Sequence, residues 1–193
     1  MKAIYTALAI FFVSIAQLNA QNMDQTIYQF TMPNLSGEEV SLKDYEGKVV
    51  MIVNTASKCG FTPQLKDMEE LYAEFRKDQF EILAFPSNDF AGQEPLEGEA
   101  IKQFCQINYN AEYPIFDKVH VKGSQAHELF KFLGSKRENG TANASPKWNF
   151  YKYLIGPDGK LVQFYSSITK PTASKVKRNI RKLLEKTVQE ADH

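Results

Sequence analysis

The 193-residue chain contains few cysteine, tryptophan and histidine residues. The small numbers of cysteines and histidines argue against two classes of functional site. It has two cysteines and no Cys-x-x-Cys motif, which argues against a general disulfide oxidoreductase. Its three histidines show no metal-ligand spacing, so we predict no metal site, and nothing else in the sequence calls for a cofactor. The 23 basic and 23 acidic residues cancel, and a chain without net charge is a poor partner for nucleic acid.

One markedly apolar run stands at the N-terminus. Met1 and Lys2 give a positive start, residues 7–16 are mostly apolar, and the run ends in a small residue at Ala20. This pattern is typical of a cleaved secretory signal, and its apolar core is too short to span a membrane. We therefore expect residues 1–20 to be a signal peptide. Residues 21–193 are then one domain without stable membrane insertion, exported to a periplasm or a secretory route.

Strand-like and helix-like segments alternate along the rest of the chain. Periodicity predicts strands at 49–54, 80–85, 151–155 and 161–165, and helices at 65–75, 96–105, 124–133 and 176–188. Two further short segments, Ile27–Phe30 and Val40–Leu42, are predicted to pair as a hairpin. Together they indicate an α/β fold in which a central mixed β-sheet is flanked by helices on both faces.

Cys59 lies between the strand predicted to end at Asn54 and the helix predicted to begin near Leu65. Thr62 is predicted to be the N-cap of that helix, with Pro63 at its first position. Unpaired N–H groups and the positive end of the helix dipole favour an anion at such a place. A cysteine there has a stabilised thiolate, which is the reactive form, although an inert loop cysteine fits the same position.

Three blocks of sequence resemble the glutathione peroxidase family, and they occur in the family's order. Asn54–Gln64 matches the peroxidatic loop, with cysteine where some members carry selenocysteine. Phe85–Pro95 matches the second block, and Trp148–Phe150 followed by Lys152 matches the third. Three separate blocks are far more specific than one short motif. The resemblance runs from about Ile27 to the terminal helix and implies a thioredoxin-like fold with an added N-terminal β-hairpin.

The resemblance also implies a chemistry, that of a thiol peroxidase acting on hydrogen peroxide and on organic or lipid hydroperoxides. Cys59 is the implied nucleophile, which the peroxide oxidises to a sulfenic acid. Gln93, Trp148 and Asn149 are the implied partners that hold the thiolate and meet the departing oxygen. Indole and primary amide N–H groups can donate in this way without changing charge. Taken singly, Trp148 also fits a core aromatic residue, and Gln93 and Asn149 fit turn residues.

Cys105 matches the resolving cysteine of the thioredoxin-dependent branch of the family. In that branch it attacks the sulfenic acid, and a thioredoxin-like protein reduces the resulting disulfide. The implied reductant is therefore thioredoxin-like, with glutathione as the alternative. The residues alone leave two other interpretations open. Cys105 is a buried helix cysteine, or a permanent Cys59–Cys105 disulfide staples a non-enzymatic exported domain.

Three positions depart from the family pattern. Ser87 stands where many members have cysteine, Asp89 where glutamine is common, and Ala91 where glycine is common. None of them is one of the four implied catalytic positions. The segment between Asp117 and Trp148 leaves no room for the extra loop of tetrameric members, so the resemblance implies a monomer.

Overall fold

The computed structural model describes residues 25–191, and the predicted signal peptide lies outside the described residues. The strands are β1 (Thr31–Pro33), β2 (Glu39–Ser41), β3 (Val49–Thr55), β4 (Phe80–Pro86), β5 (Lys152–Ile155) and β6 (Leu161–Tyr165). The helices are α1 (Gln64–Phe75), α2 (Gly98–Tyr109), α3 (Glu128–Gly134), α4 (Lys136–Asn139) and α5 (Ser174–Ala191). Among these residues, no helix is both long and apolar enough to cross a membrane.

The central sheet has four strands in the order β4-β3-β5-β6. Strands β3 and β4 are parallel, with Val49 opposite Phe80, whereas β5 runs antiparallel to both β3 and β6. The predicted mixed sheet is therefore confirmed. Because β3 and β4 run in the same direction, their carboxyl ends meet at one edge, where Ser87 donates its backbone N–H to the carbonyl of Thr55 at 3.0 Å.

Alternate residues of the buried strand β3 pack into two separate hydrophobic cores, one on each face of the sheet. Val49, Met51 and Val53 pack in a cluster with apolar residues of α1, α2 and α5. Val50 and Ile52 pack in a second cluster with residues of α3 and of the N-terminal segment. A strand has a side-chain period of two, so an unbroken apolar run is what burial on both faces requires. The helices on both faces are as predicted.

The N-terminal hairpin exists, but its first arm was predicted in the wrong place. Thr31–Pro33 pairs with Glu39–Ser41, and the segment predicted as a strand begins instead with a 3-10 turn at Ile27–Gln29. Thr26 caps that turn by accepting from the backbone N–H of Tyr28, and the backbone N–H of Ile27 donates to the carbonyl of Gly159. These bonds occupy the backbone N–H groups of Ile27 and Tyr28 in place of the strand pairing that the apolar alternation suggested.

Two helices are shifted from their predicted bounds. Helix α2 starts at Gly98 and continues past Cys105 to Tyr109, ending where Asn110 adopts a left-handed backbone with φ 53°. Its cap N–H bonds to the carbonyls of Cys105 and Gln106, as in a common helix C-terminus. Helix α3 starts only at Glu128, because the imidazole of His127 accepts from the N–H of Leu129 and caps it there. Cys105 thus lies well inside α2 and not at its end.

Candidate active site

Cys59 occupies a tight turn between β3 and α1, as predicted, and its residue is 7% exposed. Its backbone N–H donates to the hydroxyl of Thr62 at 2.9 Å, and that hydroxyl donates to the carbonyl of Ala56 at 2.9 Å. The predicted capping role of Thr62 was wrong, because its hydroxyl is used inside the turn. Helix α1 begins at Gln64, and Pro63 precedes it without a side-chain cap.

The sulfur of Cys59 receives a hydrogen bond from the backbone. The N–H of Phe61 donates to Sγ at 3.4 Å, within the turn that leads into α1. This bond fixes the position of the sulfur within the turn, and α1 begins three residues after Phe61, at Gln64.

Asn54 ties the end of β3 to the turn that carries Trp148 and Asn149. Its side-chain NH₂ donates to the carbonyl of Trp148 at 3.1 Å, and its side-chain oxygen accepts from the N–H of Tyr151 at 2.9 Å. Its backbone carbonyl accepts from the N–H of Phe150 at 2.6 Å. Phe150 has φ 64°, a conformation that costs a non-glycine residue roughly 1–2 kcal/mol. Such strain persists only where neighbours fix the backbone, as Asn54 does here.

Gln93 and Asn149 form a pair of amides beside the cysteine turn. The NH₂ of Asn149 donates to the side-chain oxygen of Gln93 at 3.0 Å, and the carbonyl of Gln93 accepts from the N–H of Lys58 at 2.9 Å. Asn149 is fully buried, yet its side-chain oxygen has no partner among the described residues. A buried amide with a free polar atom is suited to a small polar ligand.

Trp148 is the most exposed of the four predicted catalytic residues, at 37%. Its ring packs against that of Phe90, with centroids 5.7 Å apart and planes inclined at 48°. The ammonium of Lys122 lies 4.6 Å from the centre of the Phe90 ring. One side of the indole is thus fixed by an aromatic contact, while about a third of the residue is exposed to solvent.

Asp89 bonds to the loop at 120–122, and Ser87 is fully buried and accepts from the backbone N–H of Asp89 at 3.4 Å. The carboxylate of Asp89 accepts from the imidazole Nδ1 of His120 at 2.7 Å and from the backbone N–H groups of Val121 and Lys122. Burial opposes its ionisation, but these bonds outweigh burial and hold the pKa of Asp89 below its usual value. The extra negative charge that the sequence places here therefore anchors the loop at 120–122.

Cys105 is buried in α2 with 5% exposure, and both cysteines are free thiols in the structure. Burial, and to a smaller extent the carboxylate of Glu94, raises the pKa of the Cys105 thiol to about 12. In the closed helix this thiol is therefore protonated at neutral pH and is a poor nucleophile.

Lys152 is a buried group whose contacts the sequence did not predict. It is fully buried on β5, and its ammonium donates to the carbonyls of Phe150 at 2.7 Å and Ser166 at 3.3 Å. The adjacent Ser167 donates its hydroxyl to the carbonyl of Asn149 at 2.6 Å. The backbone carbonyls of Asn149 and Phe150, directly after Trp148, are therefore each fixed by a side chain of a neighbouring strand or loop. In the sequence this lysine was noticed only as part of the third block, and its spacing from the other residues did not predict its hydrogen-bond partners.

Burial lowers the pKa of Lys152 to about 7, and the Asp67 carboxylate only partly opposes this. Below pH 7 the ammonium is charged in both the folded and the unfolded state, and the penalty for burying it is complete. Between pH 7 and about 10.5 only the unfolded state keeps the proton, so stability rises with pH. We expect the unfolding free energy of the wild type to gain about 2 kcal/mol between pH 7 and 9 relative to Lys152→Met.

Urea denaturation of both proteins at the two pH values measures this difference. Lys66→Met, at an exposed position on α1, is the matched control and should follow the wild type. Parallel pH dependence for wild type and Lys152→Met would contradict the expectation.

The described residues contain no group of three or more histidine, cysteine, aspartate or glutamate side chains that could hold a metal ion. A 460 Å³ groove lined by Phe75, Arg181 and Leu184, among others, includes none of the predicted catalytic residues. The candidate site is instead built where three segments meet: the turn of Cys59, the loop of Gln93 and the turn of Trp148 and Asn149.

Comparison with known proteins gives a consistent result. The family model described as glutathione peroxidase matches residues 27–134. The chain is 44% identical to a glutathione peroxidase of Lactococcus lactis over 81% of this chain and 98% of that protein. It is 43% identical to glutathione peroxidase-like peroxiredoxin 2 of Saccharomyces cerevisiae, covering 85% of this chain and all (100%) of that protein. A hydroperoxy fatty acid reductase of Synechocystis is 45% identical, covering 83% of this chain and 97% of that protein.

Solved structures that resemble this chain point to the same family and fold. The crystal structure of Trgpx in apo form has a TM-score of 0.66 at 36% identity, covering 83% of this chain and 96% of that one. A thioredoxin family protein of Chlorobium tepidum, a thiol:disulfide interchange protein, has a TM-score of 0.57 at 14% identity, covering 80% of this chain and 92% of that one. The second likeness concerns the fold alone, and it confirms the thioredoxin-like fold that the sequence predicted.

Proposed function

Because this chain belongs to the glutathione peroxidase family, we propose that it reduces hydroperoxides with Cys59 and completes its cycle with Cys105 and a thioredoxin-like reductant. Thiol peroxidase activity follows from the family. The roles of individual residues rest on the geometry. The observation that carries them is the hydrogen bond between Gln93 and Asn149, beside the turn of a cysteine whose sulfur accepts a backbone N–H.

In the first step the Cys59 thiolate attacks the terminal oxygen of the hydroperoxide. A sulfur–oxygen bond forms and the oxygen–oxygen bond breaks. The alkoxide or hydroxide that leaves takes up a proton from water and departs as an alcohol or as water. The indole N–H of Trp148 and the amides of Gln93 and Asn149 supply donors for the departing oxygen without becoming charged. The product on the protein is the Cys59 sulfenic acid.

In the second step Cys105 attacks the sulfur of the sulfenic acid as a thiolate. The disulfide forms, and the hydroxyl group leaves as water after taking up a proton. A dithiol protein then reduces the disulfide by exchange. Glutathione-dependent members of the family need no second thiol, so the cysteine retained in α2 favours a thioredoxin-like reductant over glutathione.

The substrates we propose are hydrogen peroxide and organic or lipid hydroperoxides. The similarity to a hydroperoxy fatty acid reductase supports the lipid class. An exposed indole beside an aromatic ring also gives an acyl chain an apolar surface to lie on.

Steady-state turnover of the wild type with two reducing systems tests the proposed donor. We expect sustained peroxide consumption with thioredoxin and its reductase, and much slower consumption with glutathione and its reductase. Equal or faster turnover with glutathione would overturn the choice of donor. Consumption of peroxide by the protein's thiols no faster than by free cysteine would overturn the catalytic role of the site and favour the stapled, non-enzymatic domain.

We also propose that the protein acts outside the cytoplasm, in a periplasm or a secretory route. The supporting observation is the signal pattern of residues 1–20. N-terminal sequencing of the protein from its native source should give a chain that begins near Gln21. Recovery of chains that retain Met1 and Lys2 would contradict cleavage.

We propose further that the protein is a monomer. Between α3 and β5 the chain contains only the short helix α4 and a short polar stretch, without the extra loop of tetrameric relatives. Sedimentation equilibrium at micromolar concentration should give a single species near the mass of one chain. A tetramer mass would overturn the proposal.

A further inference from the structure

Glu94 is a buried carboxylate next to Gln93 that the mechanism above does not use. Its residue is 2% exposed. One carboxylate oxygen accepts from the backbone N–H of Ser57 at 2.9 Å. The other accepts from the hydroxyl of Ser57 at 2.7 Å and from the backbone N–H of Leu96 at 3.3 Å. Burial raises the pKa of Glu94 above its usual value, and the three donors oppose that rise because they replace the water that the ionised form needs.

The donors come from the two segments that carry the cysteines. Ser57 lies two residues before Cys59, and Leu96 lies two residues before the start of α2, which holds Cys105. The same two segments are joined by the backbone bond from Lys58 to Gln93. Lys118 fixes the Glu94 side of the contact by donating to the carbonyls of Glu94 and Leu96. One side chain therefore connects the peroxidatic turn to the N-terminal end of the helix that bears the second thiol.

Cys105 cannot react from within the closed helix. With its pKa near 12, the fraction present as thiolate at pH 7 is on the order of one in 10⁵. Water must reach the thiol before it ionises in useful amounts, so the resolving step requires local opening of α2. The bond between Glu94 and Leu96 anchors the end of α2 nearest the peroxidatic turn, and it therefore opposes an opening that begins there.

We propose that Glu94 is a positioning residue that holds the turn of Cys59 ready for peroxide and restrains the opening of α2 that releases Cys105. This inference rests on the proposed role of Cys105 as the resolving thiol. It assigns opposite effects to one side chain: Glu94 favours the first chemical step and delays the second. The delay keeps the sulfenic acid in place for a longer time before the disulfide closes.

Glu94→Gln is the sharpest test, because an amide of the same shape cannot serve all three donors. Its NH₂ cannot accept a hydrogen bond, and it takes the place of the oxygen that faces Leu96, because the Ser57 hydroxyl can turn to accept from it there whereas the backbone N–H of Ser57 cannot. The backbone N–H of Leu96 then loses its acceptor, and Ser57 is held by a neutral amide in place of a carboxylate. Ser57→Ala is the matched control. It removes the hydroxyl donor on the side of the cysteine turn and leaves the bond to Leu96 intact.

Stopped-flow fluorescence of Trp148, the single tryptophan, follows both steps, and rapid quenching with thiol labelling separates sulfenic acid from disulfide. For Glu94→Gln we expect the peroxide step to slow severalfold. Disulfide formation should accelerate about tenfold, because a factor of this size corresponds to the loss of one charge-assisted hydrogen bond. Hydrogen exchange of the α2 amides should accelerate by the same factor. For Ser57→Ala only the peroxide step should slow, with disulfide formation and α2 exchange unchanged.

A merely structural role for Glu94 would slow both steps together, and that result would overturn the proposal, as would unchanged exchange in α2. Should Glu94→Gln fail to fold, Glu94→Asp asks the same question, because the shorter carboxylate cannot reach Ser57 and Leu96 at once. If the wild type forms sulfenic acid but no Cys59–Cys105 disulfide, the proposed function fails at Cys105. The exchange measurement then still decides whether Glu94 restrains α2.

Discussion

Replacing Cys59 with serine is expected to abolish peroxide reduction. A serine hydroxyl is not ionised at neutral pH, so the N–H of Phe61 then has no anion to stabilise and the peroxide meets no competent nucleophile. Peroxide consumption by Cys59→Ser should fall to the rate of a mixture without protein, with any reductant. A coupled assay with thioredoxin, and direct mass measurement after one equivalent of peroxide, will show the loss.

The fold should tolerate this change. Serine and cysteine are close in size, and the turn is held by the bonds between Cys59 backbone, Thr62 and Ala56, which the side chain does not make. An unfolding midpoint within a few degrees of the wild type is the required control. Residual saturable peroxide reduction by a folded Cys59→Ser would assign the nucleophile to another residue, and Cys105 would be the first to test.

Replacing Cys105 with serine is expected to leave the first turnover intact and to prevent further turnovers. The variant should consume one peroxide per protein, because Cys59 and its partners are intact, and should then stop when thioredoxin is the only reductant. Under excess peroxide the sulfenic acid should progress to the irreversible sulfinic form, since no internal thiol intercepts it. Intact mass measurement distinguishes the two products, because the sulfinic form carries one more oxygen atom.

Cys105→Ala is the matched control for this prediction. A buried hydroxyl in place of a thiol has its own cost, and alanine removes the thiol without adding a polar group to the cluster around α2. Both variants should lose thioredoxin-dependent turnover to the same degree. Full turnover by either one with thioredoxin would return Cys105 to the role of a buried helix cysteine.

The sequence indicated which residues meet at the candidate site better than it indicated the residues that support them. Cys59, Gln93, Trp148 and Asn149 stand in short local blocks that can be read in order along the chain. The contacts of Asn54, Glu94 and Lys152 exist only after distant segments meet: Ser57 and Glu94 are 37 positions apart, and Asn54 and Trp148 are 94 positions apart. Periodicity contains no information about such pairings.

Polar residues in the buried strands nevertheless gave a weaker indication of these supporting contacts. Asn54 follows the apolar residues of β3, and Lys152 begins the buried strand β5, so each of these polar side chains needs buried hydrogen-bond partners. For Thr62 the error is the opposite one, because the sequence predicted a contact that does not form. Its sequence position fits a helix cap, but the competing bonds inside the cysteine turn took its hydroxyl. The capping rule failed because other backbone groups of the same turn offered the hydroxyl its partners.

The long-range bonds of Asn54 have a consequence for biogenesis. Because Asn54 must meet residues 148–151, the turn of Trp148 and Asn149 takes shape only when β5 docks on β3. In the unfolded chain both thiols are exposed to whatever oxidant the surroundings contain. With only two cysteines, a newly made chain can close just one internal disulfide. That bond is the one formed in the proposed cycle, so the reductant that sustains turnover also rescues prematurely oxidised chains, and no disulfide isomerase is needed.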